Sequence, residues 1–238
     1  NIHMNYKIIQ NEKIFKDFIQ GLPDCKPNEQ YYVSLLARNK YLKDKTALPA
    51  KVQLKRLTAS KDYLYQKVKQ LEVEVGAYQN KGNPIPQESL ALYISVNPRD
   101  LIKATANSLK LFVDLITKEY NGYNPHSEIL SQIQSKKASG KKHFTAFDFD
   151  GVDVYSVLEQ IKDKINIDAL HILKTRGGFH LLVELEKIKP EFKTWYQAIS
   201  KVEGCDVKGS EKEDDNDDSL MPVPGCTQGG FIPHFLFK

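Results

Sequence analysis

The sequence predicts an α+β protein in which helices cover one face of a mixed sheet. Short apolar strands alternate with amphipathic helices through the second half of the chain, and a Gly177-Gly178 turn sets a hairpin within that order. The composition, with 41% hydrophobic and 27% charged residues, is typical of a globular protein. At 238 residues the chain can form one large domain or two small ones.

The first third is predicted to hold a strand and a helix. Residues 31–37 are aromatic and aliphatic, which indicates a buried strand. From about residue 51 to 73 lysines separate apolar residues at helical spacing, which predicts an amphipathic helix with a stripe of Leu57, Leu64, Val68 and Leu71. The segment 81–86, with two prolines and a glycine, then interrupts regular structure. We place a domain boundary there, between residues 1–86 and 87–238.

The rest of the chain is predicted to follow the order β-α-β-α-β-β-α. The predicted elements are a strand at 90–96, a helix at 99–118, a polar loop at 121–142, a strand at 144–149, a helix at 154–164, strands at 169–174 and 179–185 and a helix at 190–201. The strongly acidic run 203–219 is predicted to be a mobile loop. The tail from residue 220 is rich in proline and glycine, which favours turns and short extended pieces.

Several classes of protein are excluded at this point. No apolar run reaches the roughly 18 residues of a membrane helix, and there is no secretory signal, so we expect a cytoplasmic protein without a membrane partner. The three cysteines, an odd number without a Cys-x-x-Cys pair, predict free thiols rather than a disulfide framework or a zinc site.

Charge is unevenly distributed along the chain. Residues 1–147 hold 23 basic against 13 acidic residues, whereas residues 148–238 hold 11 against 17. Between residues 38 and 69 ten basic residues meet only two acidic ones, with tyrosines interspersed. Cations track phosphates and aromatic rings stack on unpaired bases, so this stretch predicts contact with a single strand of nucleic acid, through Lys51, Lys55 and Arg56. A solvated surface with core tyrosines is the alternative.

The most informative motif is Asp148-Phe149-Asp150, which ends a predicted strand. Side chains two apart on a strand share a face, so Asp148 and Asp150 project together. Paired carboxylates repel unless a cation lies between them, and oxygen ligands favour Mg²⁺ or Mn²⁺. The alternative is that the aspartates only begin the turn at Gly151.

A basic, glycine-rich turn follows about thirty residues later and opens a second strand. Glycines such as Gly178 let backbone amides approach a phosphate closely, and Lys174, Arg176 and His180 add cations or donors. Alone, such a turn is an ordinary hairpin connection and a single histidine is usually structural. Its proximity to an acidic pair makes a phosphate site the better interpretation.

A third carboxylate would complete a two-metal site, and the sequence offers two candidates. Asp206 precedes the acidic run and Asp218 follows it, before the segment Pro222-Val223-Pro224-Gly225. Two cations can position a hydroxyl nucleophile and a leaving pyrophosphate in line. The residues alone leave both candidates open.

In these motifs the sequence resembles the archaeo-eukaryotic primase superfamily, which includes primase small subunits and primase-polymerases. Asp148-Phe149-Asp150 resembles its acid-x-acid pair, Gly178-Phe179-His180 its small-x-His element, and Asp206 its third acid. Pro224-Gly225-Cys226-Thr227 resembles a Pro-Gly-Thr-like segment found in many members. The match covers roughly residues 90–235, and the acidic insertion after Asp206 is longer than expected.

The resemblance implies an RRM-like catalytic lobe beside an N-terminal α/β lobe, and template-directed nucleotidyl transfer in DNA replication. Asp148, Asp150 and Asp206 would bind Mg²⁺ or Mn²⁺, while His180, with Lys174, Arg176 and Gly178, would hold a nucleoside triphosphate. The implied partner is a single-stranded DNA template. The chain contains no helicase or zinc module, so we expect such a replication domain elsewhere in a longer protein.

Two other functions, from different classes of protein, are also compatible with these motifs. Asp148-Phe149-Asp150-Gly151-Val152 also resembles the opening motif of haloacid dehalogenase-type phosphatases, in which Asp148 would be the nucleophile and successive parallel strands would supply further residues. The other alternative is a non-catalytic module that binds single-stranded nucleic acid through the same sheet.

Overall fold

Two five-stranded sheets organise the chain in a computed structural model that describes residues 4–119, 122, 124–206 and 220–237. The strands are β1 (Glu29–Arg38), β2 (Lys51–Ala59), β3 (Gln79–Asn80), β4 (Asn83–Pro84), β5 (Leu90–Ser95), β6 (Arg99–Asp100), β7 (Phe144–Asp150), β8 (Leu170–Lys174), β9 (Gly178–Glu184), β10 (Cys205–Asp206), β11 (Leu220–Pro222) and β12 (His234–Phe237). The helices are α1 (Glu12–Gly21), α2 (Leu64–Lys69), α3 (Leu101–Thr117), α4 (Pro125–Ser131), α5 (Val154–Ile161) and α6 (Trp195–Ser200). The predicted α+β class is confirmed.

The first sheet has the order β11-β5-β1-β2, with β6 paired to β1. The second has the order β10-β7-β9-β8-β12, and β3 and β4 form a small hairpin. All strand pairs among the described residues are antiparallel, which corrects the prediction of a mixed sheet. Strands β5 and β11 follow residue 86 and yet belong to the first sheet, so a boundary at residue 86 does not coincide with the division between sheets.

The second sheet is built from a β-α-β-β-α-β unit. Its chain order is β7-α5-β8-β9-α6-β10, and β7 and β9 are the neighbouring central strands. Helix α5 begins at the N-cap Asp153, whose carboxylate accepts a hydrogen bond from Ser156 N at 2.9 Å. Its residues Val154, Val157 and Ile161 are buried because they repeat at helical spacing.

Two hydrophobic clusters lie on opposite faces of this second sheet. One packs Phe147, Phe149 and Phe179 against α5 and α6. The other joins the sheet to the first sheet and α1, and it includes Leu173 and Leu182. Since neighbours along a strand alternate between faces, every residue between two members of the helix-covered cluster must point toward the first sheet.

Two predicted elements in the first two thirds were wrong. Residues 51–59 form strand β2 instead of the start of a helix, because they pair with β1; Val52 and Leu54 pack toward the core at strand spacing, and a register shift brings Leu57 to the same side. The predicted polar loop at 121–142 contains helix α4, which is capped by Asn124. The strands predicted at 31–37, 90–96, 144–149, 169–174 and 179–185 and the helices predicted at 99–118 and 154–164 are confirmed within a few residues at their ends. Of the helix predicted at 190–201, only Trp195–Ser200 is helical.

Candidate active site

A row of polar side chains crosses three neighbouring strands of the second sheet. Asp148 on β7 pairs with His180 on β9, and on its other side Asp148 pairs with Asp206 on β10. Directly opposed residues of an antiparallel pair share a face, so all three belong to the same face of the sheet. The structure therefore brings together the first acid, the histidine and the third acid of the sequence motifs.

The alternation of β7 fixes this face. Phe147 and Phe149 are buried among the helices, so Asp148 and Asp150 lie on the other side, toward the first sheet. On β9 the same argument places His180 between the buried Phe179 and Leu181. The apolar residues of Phe-Asp-Phe-Asp thus determine where the carboxylates stand.

The imidazole of His180 is turned toward the acids. Its Nε2 lies 3.2 Å from Asp148 Oδ1, and the side chains of the two residues are only 11% and 21% exposed. Asp150 and Asp206 are exposed. The row accordingly has a sheltered centre and an open rim, an arrangement that lets an anionic ligand enter from solvent and meet a held imidazole.

The pKa of the Cys205 thiol is affected by the neighbouring carboxylates. Burial, together with the negative charges of Asp206 and Asp148, raises the pKa of this thiol to about 11. The thiol itself packs against the helix-covered cluster, on the opposite face from the acids. It is therefore a structural thiol and not a nucleophile of the site.

The turn between β8 and β9 borders the acidic pair. Thr175 N donates to Gly178 O at 3.0 Å, and Gly178 N donates to Thr175 Oγ1 at 3.2 Å, which closes a tight turn with Arg176 and Gly177 at its tip. A β-carbon on Gly178 would overlap the carbonyl oxygen of Phe149. One on Gly177 would lie 3.1 Å from Asp150 Oδ1. The glycines thus allow the turn to lie directly against the strand that carries the acids.

Arg176 and Lys174, the two cations predicted to hold a triphosphate, do not lie beside the acids. The guanidinium of Arg176 stacks on Tyr41, 4.8 Å from the ring centroid, and donates to the carbonyl oxygen of Gly229. Lys174 is opposite Phe179, so it belongs to the helix-covered face. Of the predicted triphosphate contacts, only His180 and Gly178 lie directly beside the acids.

Tyr41, Tyr93 and Gln228 are contacts that sequence reasoning missed. The hydroxyl groups of Tyr41 and Tyr93 are 3.2 Å apart, and the buried Gln228 accepts a hydrogen bond from Arg176 N at 2.8 Å. These residues connect the first sheet to the β8–β9 turn. The only sequence signal was the glycine-rich segment around Gln228, and no local pattern indicated that Tyr41 would stack on Arg176.

The three predicted nucleic-acid contacts lie on the exposed edge strand β2. Lys51 pairs with Arg38 and Arg56 pairs with Ser34, so both belong to one face of the first sheet. Lys55 pairs with Leu35, a core residue, and belongs to the other face. The structure brings Lys51 and Arg56 to a common face and separates Lys55 from them.

The carboxylates of Asp148, Asp150 and Asp206 have the chemistry that Mg²⁺ and Mn²⁺ require. As the side chains stand in the described parts of the chain, no group of three or more His, Cys, Asp or Glu residues converges closely enough to hold an ion. The oxygen donors therefore fit a divalent cation in kind and in strand register. The alternative third acid, Asp218, lies outside the described residues.

The chain was compared with protein-family models, with curated proteins and with solved structures, and none of these matches it. Within the residues described, no helix has the length and apolar character needed to cross a membrane. The interpretation of the site therefore depends on its own geometry.

Proposed function

We propose that this chain is a template-directed nucleotidyltransferase of the primase–polymerase type. The observation that carries the proposal is the row formed by Asp206, Asp148 and His180 across β10, β7 and β9, with Asp150 two residues further along β7. The chain order of these residues agrees with the acid-x-acid, small-x-His and third-acid motifs that they resemble, and their common face supports the proposal.

The fold supports the same proposal. The second sheet has the β-α-β-β-α-β order of an RRM-like lobe, with both helices on one face and the acids on the other. The first sheet, with its basic edge strand, lies on the side of the acids. An RRM-like sheet with a second, basic sheet on the side of its acids supports the two-lobed arrangement that the resemblance implies.

The carboxylates, the histidine and the glycine of this site have different tasks in the proposed reaction. Asp148, Asp150 and Asp206 would hold divalent cations, which would supply Lewis-acid activation of a primer hydroxyl and charge stabilisation for a leaving pyrophosphate. His180 donates a hydrogen bond to the triphosphate, and its contact with Asp148 orients the ring. Gly178 lets the β8–β9 turn lie directly against the strand that carries the acids, which keeps His180 beside Asp148.

A series of contacts joins the basic strand to this site. Arg38, the strand partner of Lys51, lies close enough to the Tyr93 phenol to oppose the rise in its pKa that burial causes. Tyr93 meets Tyr41, and Tyr41 carries the guanidinium of Arg176 at the tip of the turn beside the acids. A template strand that followed the basic face of the first sheet would arrive at the β8–β9 turn.

The proposal is tested by incubating the purified protein with Mn²⁺ or Mg²⁺, nucleoside triphosphates and a single-stranded DNA template. We expect synthesis or extension of an oligonucleotide. Hydrolysis of a generic phosphomonoester, lost on Asp148→Asn, would instead support the phosphatase. Binding of the strand without any turnover would support the non-catalytic module.

The strand topology argues against the phosphatase alternative. It needs successive parallel strands to present its later residues, whereas all strand pairs in the described ranges are antiparallel. Gly177 and Gly178 belong to a hairpin connection between β8 and β9 and not to a crossover. In the described residues, the acids of β7 therefore lack the neighbouring parallel strands that the phosphatase mechanism needs.

The third acid can be assigned by comparing two single substitutions. Asp206→Asn is expected to lower the rate of nucleotide incorporation by about a hundredfold or more, because it removes a carboxylate next to Asp148 and the interaction is worth several kcal/mol. Asp218→Asn is expected to leave the rate within about twofold. Steady-state incorporation assays measure both, and a larger loss for Asp218→Asn would move the third ligand to that residue.

The basic face of β2 makes a second prediction. Replacing both Lys51 and Arg56 by alanine should weaken binding of single-stranded DNA and reduce the slope of log K against log salt by about 1.4, since two phosphate contacts are lost. Fluorescence anisotropy at several salt concentrations measures the slope. Lys55→Ala is the matched control, because Lys55 belongs to the opposite face. An equal effect of Lys55→Ala would contradict the assignment to this face.

A further inference from the structure

Helix α3 carries the largest group of exposed apolar side chains among the described residues. Of its 17 residues only Ala104 is buried. Ile102, Leu109 and Ile116 are 67%, 63% and 65% exposed. Phe112 and Val113 on the same helix, and Leu130 on α4, are each about half exposed. No other element in the described ranges presents so many large apolar residues to solvent.

The size of this surface calls for a partner. Six such side chains expose on the order of 500 Å², within the range of about 300–600 Å² that is the largest and often functional patch of a monomer. A standard interface buries roughly 800 Å² on each partner, so the patch supplies more than half of what a stable dimer needs. Leaving it in water would also favour aggregation.

The spacing of the patch indicates what covers it. Ile102, Thr105, Leu109, Phe112 and Ile116 follow one another at intervals of three, four, three and four residues, the seam spacing of paired helices. Ala106 flanks this seam with a small, exposed side chain that allows close approach of a second helix. A helix with the same seam is therefore a suitable partner, and α3 itself is such a helix.

We propose that α3 forms a symmetric dimer interface by packing antiparallel against α3 of a second copy of this chain. In that arrangement Leu109 of each copy faces Phe112 of the other, and Thr105 faces Ile116. The two residues of each of these pairs differ in size, which favours interdigitation, and Ile102 lies at the end of the seam opposite Glu119. The surface is separate from the acids of β7, so the proposal is independent of the proposed function.

Other occupants fit the surface less well. Residues 207–219 of the same chain contain six carboxylates, and burying these against leucine and isoleucine would cost free energy. A nucleic-acid strand needs cations along its path, whereas the seam of α3 itself contains none. The second copy matches the apolar central part of the seam, Leu109, Phe112 and Ile116.

Sedimentation velocity from about 1 to 100 μM tests the proposal, because an interface of this size supports dissociation constants in the micromolar range. We expect the wild type to shift from monomer to dimer across this range and Leu109→Glu to stay monomeric throughout. Leu109 is exposed in the monomer, so Leu109→Glu should keep the wild-type circular dichroism spectrum and incorporation rate. A wild type that stays monomeric, or a Leu109→Glu variant that dimerises as the wild type does, would overturn the proposal.

Cysteine cross-linking tests the orientation. Thr105→Cys mixed with Ile116→Cys should form a disulfide-linked heterodimer under mild oxidation, whereas each variant alone should cross-link much less. Wild-type protein, with Cys25 and Cys205 half-buried and Cys226 buried, measures the background. Stronger cross-linking of Thr105→Cys to itself than to Ile116→Cys would contradict antiparallel packing.

Discussion

Replacing Asp148 and Asp150 together by asparagine is expected to lower nucleotide incorporation at least about a thousandfold. Both carboxylates lie on the open face of β7, where they are ligands for divalent cations in the proposed reaction. Stabilisation of developing charge by bound cations is worth several kcal/mol, and each 1.36 kcal/mol corresponds to a tenfold rate. Asparagine keeps the size of each side chain, so the loss should occur without unfolding.

The assay is extension of a labelled primer on a single-stranded DNA template with Mn²⁺ or Mg²⁺. Asp163→Asn is a matched control, because Asp163 is an exposed acid that follows α5 and lies outside the row. It should retain the wild-type rate. An Asp148→Asn, Asp150→Asn double variant that still extends primers at more than about a tenth of the wild-type rate would exclude these carboxylates as the metal ligands.

Gly178→Ala is expected to lower the free energy of unfolding by about 3 kcal/mol, the upper part of the range for overpacked interiors. Its β-carbon would overlap the carbonyl oxygen of Phe149, and backbone on a central strand cannot move aside as a flexible side chain can. The two central strands would have to separate where Asp150 pairs with Gly178. His180, two residues further along β9, would then move relative to Asp148 and incorporation would fall with stability.

Urea denaturation followed by circular dichroism measures this change. The control is Gly21→Ala at the end of α1, where no atom lies within 4 Å of the added β-carbon and the free energy of unfolding should change by less than about 1 kcal/mol. If both variants unfold at the wild-type urea concentration, β7 and β9 do not approach each other as closely as described.

Much of the second sheet could be predicted because its residues alternate strictly. In Phe147-Asp148-Phe149-Asp150 the aromatic residues need a core and the aspartates need solvent, and only a half-buried strand satisfies both. Strand β2 was missed because Leu57, Leu64 and Val68 are spaced as on a helix although a strand ends between them at Ala59. The decisive fact, pairing with β1, is not local.

In the candidate site, too, some residues could be predicted from local sequence and others could not. Asp148, Asp150 and His180 could be named from short motifs, because each motif is contained in one strand and its preceding turn. The alignment of Asp206 with Asp148 depends on the register of β10, and the stacking of Arg176 on Tyr41 depends on how the two sheets meet. Such contacts join residues far apart in sequence, so no local pattern encodes them.

The most direct test of the central claim is a crystal structure of the protein with Mn²⁺ and a non-hydrolysable nucleoside triphosphate. We predict metal density bounded by Asp148, Asp150 and Asp206, with the triphosphate within hydrogen-bond distance of the His180 imidazole. A triphosphate bound on the helix-covered face, or Mn²⁺ bound away from all three carboxylates, would contradict the assignment of this face as a nucleotidyl-transfer site.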